Sequence, residues 1–156
     1  MKASKPVLVN VAMVAALVLI GLVGHRYSPL LLPPQDLAAA PDPGCDLHHR
    51  ACPAPLPGGG RIELSITPRP IPYLHTLRVA VTVQGVEARK VEVDFAGETM
   101  NMGFNRVALT AAADGRQHGE AALPVCVSGA MAWVATVIVE AGGRRVSVPY
   151  RFETGR

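Results

Sequence analysis

Arg61-Ile62-Glu63-Leu64-Ser65-Ile66-Thr67 alternates apolar and polar side chains without a break. Successive side chains of an extended chain point to opposite faces, so this stretch predicts a strand with one buried and one solvated face. The same period of two recurs downstream. Leu77, Val79, Val81 and Val83 alternate with Arg78, Ala80 and Thr82, and Val91, Val93 and Phe95 with Glu92 and Asp94. Val107 and Leu109 follow, then Leu123 and Val125. Met131, Trp133, Ala135, Val137 and Val139 make a longer run, and Val146, Val148, Tyr150 and Phe152 close the chain. Turn signals separate these runs at Gln84-Gly85, Ala96-Gly97, Asp114-Gly115, Ser128-Gly129 and Gly142-Gly143. The pattern predicts an all-β domain over residues 61–156, an antiparallel immunoglobulin-like β-sandwich of about seven strands.

Upstream of Arg61 the composition changes twice. Residues 27–60 hold eight prolines, from Pro29 to Pro57, and end in Gly58-Gly59-Gly60. Proline has no N–H to give a helix or a central strand, so the segment is expected to be a semi-extended tether. Before it, residues 7–24 read VLVNVAMVAALVLIGLVG, with Asn10 the clearly polar residue and no charge. Eighteen helical residues span roughly 27 Å, close to the hydrocarbon thickness of a bilayer. A transmembrane helix is therefore expected over residues 7–26, after a short N-terminus of residues 1–6. Lys2 and Lys5 precede the run and Arg26 alone follows it, which puts the N-terminus in the cytoplasm. The expected location is the inner membrane, single-pass, with the sandwich on the extracytoplasmic side. A cleaved signal peptide is the alternative, with Ala38-Ala39-Ala40 as the small-residue site. That site lies 16 residues beyond the run and would leave Pro41 after the cut.

Charge excludes one class of partner. Three of the 15 basic residues, Lys2, Lys5 and Arg26, precede residue 27 and no acidic residue does, so the remainder carries 12 of each sign. A neutral remainder in a chain with 4% aromatic residues offers neither a phosphate-binding stripe nor a base-stacking surface, so no nucleic-acid partner is expected. Phosphate loops, nucleophile elbows and H-E-x-x-H motifs are absent from the sequence, and an enzyme with a small-molecule substrate is not expected.

Two clusters carry ligand chemistry. The first is Cys45-Asp46-Leu47-His48-His49-Arg50-Ala51-Cys52. Two thiolates and two imidazoles, Cys45, His48, His49 and Cys52, form a donor set suited to copper or zinc. A Cys45–Cys52 disulfide closing a short loop is the other reading, and an oxidising compartment favours it. The second cluster joins Met100 and Met102 to Cys126 and Met131. Met100 and Met102 share a face if extended, and a four-residue hairpin would set Cys126 opposite Met131. A thiolate with thioethers is a soft set suited to Cu(I), with His118 a possible further ligand and Asn101 and Asn105 possible hydrogen-bond supports. The competing reading is that these methionines and the cysteine fill the core under loops.

The order through residues 61–153 resembles a known group. A strand ending in Val93-Asp94-Phe95 leads to Met-x-Met-Gly, then Asp114-Gly115, Leu123-Pro124, Gly129, Met131, Trp133 and a valine-rich strand. With the anchor, this is similar to YtkA-like and, more distantly, FixH-like membrane-anchored extracytoplasmic β-sandwich proteins. The resemblance implies a tethered sandwich and, through the FixH-like group, a role in assembling copper-containing terminal oxidases. Cys126 and the 45–52 loop stand outside that pattern. The expected function is copper handling at the membrane, with copper as cofactor and assembly of a copper-containing respiratory oxidase as the role that the resemblance implies. The alternative is a metal-free accessory subunit or interaction module of a larger membrane complex.

Overall fold

The structure, a computed structural model, describes residues 5–31, 36–72, 74–100, 103–124 and 130–155. The chain divides into two units between Pro34 and Gln35. The first holds α1, Lys5–Leu31. Its window Val9–Arg26 is long and apolar enough to cross a membrane. The helix runs past both limits expected from hydropathy alone, residues 7 and 26. Apolar character marks what could lie in lipid, whereas backbone hydrogen bonding carries the helix a turn further at its C-terminal side.

The second unit is an antiparallel β-sandwich. Its strands are β1 (Asp36–Ala38), β2 (Cys52–Pro55), β3 (Arg61–Thr67), β4 (Thr76–Gln84), β5 (Ala88–Gly97), β6 (Arg106–Ala108), β7 (Thr110–Ala111), β8 (Gln117–Ala122), β9 (Met131–Ala141) and β10 (Arg144–Thr154). One sheet has the order β1-β10-β9-β5-β6 and the other β2-β3-β4-β8-β7. The run β3-β4-β8-β7 reproduces the A-B-E-D sheet of an immunoglobulin fold, and β5-β9-β10 its C-F-G sheet. Alternation drives the burial. Ile62, Leu64 and Ile66 on β3, Leu77, Val79 and Val81 on β4, and Val91, Val93 and Phe95 on β5 all point inward. They meet Trp133, Ala135, Val137, Val148 and Tyr150 from β9 and β10. The Trp133 indole donates to the Thr154 hydroxyl at 3.1 Å, so its one polar atom is satisfied inside the core.

Three sequence expectations are corrected. Part of the segment expected as a tether, residues 27–60, belongs to the sandwich. β1 pairs in parallel with β10, Asp36 opposite Arg145, and β2 pairs with β3, Cys52 opposite Leu64. Both are edge strands, where proline is tolerated. Pro53 turns its carbonyl away from β3 to accept the Asp42 N–H, so its missing N–H is on the outer side. Second, the Val107–Leu109 run is not one strand. β6 belongs to one sheet and β7 to the other, and the chain changes sheets at Leu109. Third, the strand expected at Leu123–Val125 is formed instead by Gln117–Ala122, with Leu123 and Pro124 beyond its end. β8 lacks an apolar stripe because Gly119 leaves room for the sheet crossing. A Cβ there would stand 2.5 Å from Leu109 Cδ2 and 3.0 Å from Val107 Cγ1.

Register fixes what lies at each end. Asp36, the β4–β5 turn and the β9–β10 turn share one end, because Gln84 pairs with Arg61 and Ala141 with Arg144. The other end collects the β3–β4, β5–β6 and β8–β9 connections. There Thr76 pairs with Ala122, and Met131 with Thr154.

Candidate functional site

The Cys/His loop closes on itself at that second end. Cys45 and Cys52 form a disulfide with a Cα–Cα separation of 5.6 Å. In this state neither sulfur is a thiolate ligand. Asp46 accepts the His48 N–H at 2.8 Å and bonds His49 Nδ1 through its other oxygen at 2.8 Å. The backbone N–H of His48 first, and the His49 ring second, hold the Asp46 carboxyl below the usual carboxylate range. Leu47 between them is buried and plugs the loop onto the core.

His48 is committed to the fold. Its Nδ1 accepts the Ile71 N–H at 3.0 Å and its Nε2 lies 2.7 Å from the Glu153 carbonyl. An amide can only donate and a carbonyl can only accept, so the ring is the neutral Nε2–H tautomer. No lone pair is left for a metal. The ring also meets Phe152 edge-on, with centroids 6.5 Å apart. One imidazole thus ties the cysteine loop, the β3–β4 connection and the end of β10. His49 differs: its side chain is 81% exposed.

These three segments enclose a cleft of about 890 Å³. Ile71, Leu74 and Phe152 supply apolar wall, while Asp46, His49, His75 and Arg151 supply polar groups. Leu74 is 70% exposed and has φ +62°, so the backbone holds its side chain outward at a conformational cost. Arg151 Nε donates to Glu98 Oε1 at 2.8 Å, linking the cleft to the β5–β6 connection. Phe104 in that connection is 81% exposed, with the Arg106 guanidinium 5.0 Å from its ring centroid. No motif in the sequence points to Leu74, His75, Phe104 or Arg151. The available signal was the placement of exposed large apolar residues in polar loops.

Of the soft-ligand cluster, Met100 and Met131 are among the described residues. Met131 is buried in the core, 8% exposed, on the face of β9 that also carries Trp133. Met100 is 40% exposed. Met102, Cys126 and Asn101 lie outside the described residues, so the expected Met100–Met102 face and Cys126–Met131 hairpin fall there too. Glu98 N–H donates to the Ala132 carbonyl at 2.9 Å, so the connection carrying Met100 starts beside the one that ends at Met131. The Asn105 amide donates to the Ala122 carbonyl at 2.9 Å. His118 sits in β8 opposite Ala80, four residues and about 13 Å of strand before Ala122. Its Nε2 lies 2.8 Å from Asp114 Oδ2. The Arg116 N–H, then the His118 ring, lower the Asp114 pKa. Among the described residues, no three Cys, His, Asp or Glu side chains form a group that could hold a metal ion. No protein-family model matches the chain, and no curated protein matches it.

Proposed function

We propose that the chain is a membrane-anchored, non-catalytic interaction module, an accessory subunit that engages a larger membrane complex through the loop end of its sandwich. The observation that carries this reading is the cleft of about 890 Å³ at that end, lined by the exposed Leu74, with the exposed Phe104 on the β5–β6 connection at the same end. Large apolar groups held out by backbone and a neighbouring cation are contact material rather than core. The anchor helix supports attachment at the inner membrane with the N-terminus inside. The disulfide supports an extracytoplasmic domain, since such bridges persist where the compartment is oxidising. The test is photo-crosslinking from positions 74 and 104 of the full chain in its native membranes, with positions 115 and 142 at the other turns as controls. Discrete adducts to one membrane protein from 74 and 104 alone support the reading. Equal labelling from all four positions overturns it.

A second reading is copper handling, with a terminal oxidase as the complex served, as the YtkA-like and FixH-like resemblance implies. The Glu98–Ala132 bond favours it, because it brings together the starts and ends of the connections that carry Met100, Met102 and Cys126. In this reading His48, Cys45 and Cys52 are structural while the bridge is closed. Cu(I) titration of the oxidised chain, against Cys126→Ser and Met102→Ala, tests it. Equal weak binding by all three excludes it.

A further inference from the structure

The two halves of the Cys45–Cys52 bridge are not equivalent. Cys52 opens β2 and faces the core, 1% exposed. Cys45 is only partly buried and lines the cleft. A thiol opens a disulfide by attacking the sulfur it can reach, and access decides which one. The loop closed by this bridge also carries His48, the ring that ties Ile71 to Glu153 across the cleft.

We propose that the bridge is a latch addressed by thiols from the cleft: a dithiol reductant attacks Cys45 and not Cys52, and opening the bridge unseats His48 and loosens the cleft. In the first step the attacking thiolate forms a bond to Cys45 Sγ as the Cys45–Cys52 bond breaks. The electron pair leaves on Cys52 Sγ, which takes up a proton. In the second step the reductant's other thiol loses its proton and displaces Cys45, which leaves as a thiolate and takes up that proton. The reductant ends as a disulfide, two electrons have passed to the chain, and the chain holds two thiols. The latch does not depend on which partner the loop end binds.

The experiment uses the full chain in detergent micelles, with free thiols blocked first by N-ethylmaleimide. Brief exposure to glutathione, a monothiol, is quenched and the adducts are mapped by mass spectrometry. The glutathione adduct is expected on the Cys45 peptide about tenfold or more over the Cys52 peptide, since a buried sulfur reacts only through a minor opened population. After full reduction by dithiothreitol, amide exchange of Ile71 is expected to rise about tenfold or more while the Val79 and Val137 amides stay protected. Equal adducts on the two cysteines, or more on Cys52, overturn the proposal. So does an Ile71 amide that stays protected after reduction. If Val79 and Val137 lose protection together with Ile71, the bridge is a global staple and the latch is refuted.

Discussion

Replacing His48 with alanine should destabilise the sandwich more than the same change at any of its other three histidines. The substitution removes the acceptor of the Ile71 N–H, the donor to the Glu153 carbonyl and the edge contact with Phe152. Ile71 is 3% exposed, so its orphaned N–H cannot turn to water and costs about 1–3 kcal/mol. Glu153 is exposed, and its carbonyl can be rehydrated, which limits that loss to about 0.5 kcal/mol. The aromatic contact adds about 0.5–1 kcal/mol. The total is about 2–4.5 kcal/mol. For a domain the size of Gln35–Arg156, each kcal/mol lowers Tm by roughly 3–5 °C, so a fall of about 6–22 °C is expected. The assay is thermal unfolding of the full chain in detergent, followed by near-ultraviolet circular dichroism and by amide exchange at Ile71. His49→Ala is the control. Its neighbouring side chain is exposed and bonds only within the loop, so its effect should stay within about 0.5 kcal/mol. If the two alanine variants melt together, His48 is not the tie described here.

Other perturbations probe different parts of the frame. Gly119→Ala puts a Cβ against Leu109 and Val107 and should cost about 1–3 kcal/mol in denaturant unfolding, and Leu109→Ala should relieve part of that loss. Thr154→Val leaves the Trp133 N–H without its acceptor and should cost about 1–3 kcal/mol, whereas Thr154→Ser, which keeps a hydroxyl, should restore most of it. The His48 N–H and the His49 ring hold the Asp46 pKa below the ordinary carboxylate value, so its contribution is complete above that ordinary value and is lost as the pH falls through the lower folded one. An NMR titration should place its midpoint below that of an unstructured aspartate, and Asp46→Asn should lose stability less steeply than wild type over that acid range. A wild-type midpoint at or above that of an unstructured aspartate would contradict the two hydrogen bonds assigned to the carboxylate.

The long strands were legible because burial on one face imposes a period of two that survives in composition. β3, β4, β5, β9 and β10 each carry it, and each lies where the alternation put it. β8 was not legible, since what buries it is Leu109 lying over Gly119 rather than its own side chains. The Cys/His loop was legible in its bridge, which is one of the two readings of its cysteines, and not in its histidines. Its symmetric spacing brings four ligand residues together in sequence, but the partners that decide the chemistry of His48 are remote. His48 bonds residues 23 and 105 positions away. Nothing local in the motif signals that both ring nitrogens are already used, so His48 reads as a ligand and folds as a tie. The cleft was hidden on the same ground, because the segments that line it meet only through the register of two sheets.

The boundary of the domain is set by those ties and not by composition. Eight prolines between residues 29 and 57 mark a linker on any compositional scale. Yet the chain joins the sandwich at Asp36, opposite Arg145, and leaves this proline-rich stretch only at Arg61. Between these points it crosses from the edge of one sheet to the edge of the other, moving from the Arg145 end of β10 toward Thr154. Nine strand residues separate those positions, about 30 Å. β1 offers only three paired residues, too few to hold such a span by backbone bonds alone. What fixes the far side is the buried Leu47, the Cys45–Cys52 bridge and the His48 ring, all within eight residues. A sequence poor in strand formers is thereby made part of a β-domain by one plug, one covalent link and one imidazole. Loss of the imidazole or the link should therefore loosen this crossing segment first, while β3, β4, β5 and β9, which bury their own side chains, keep their amide protection.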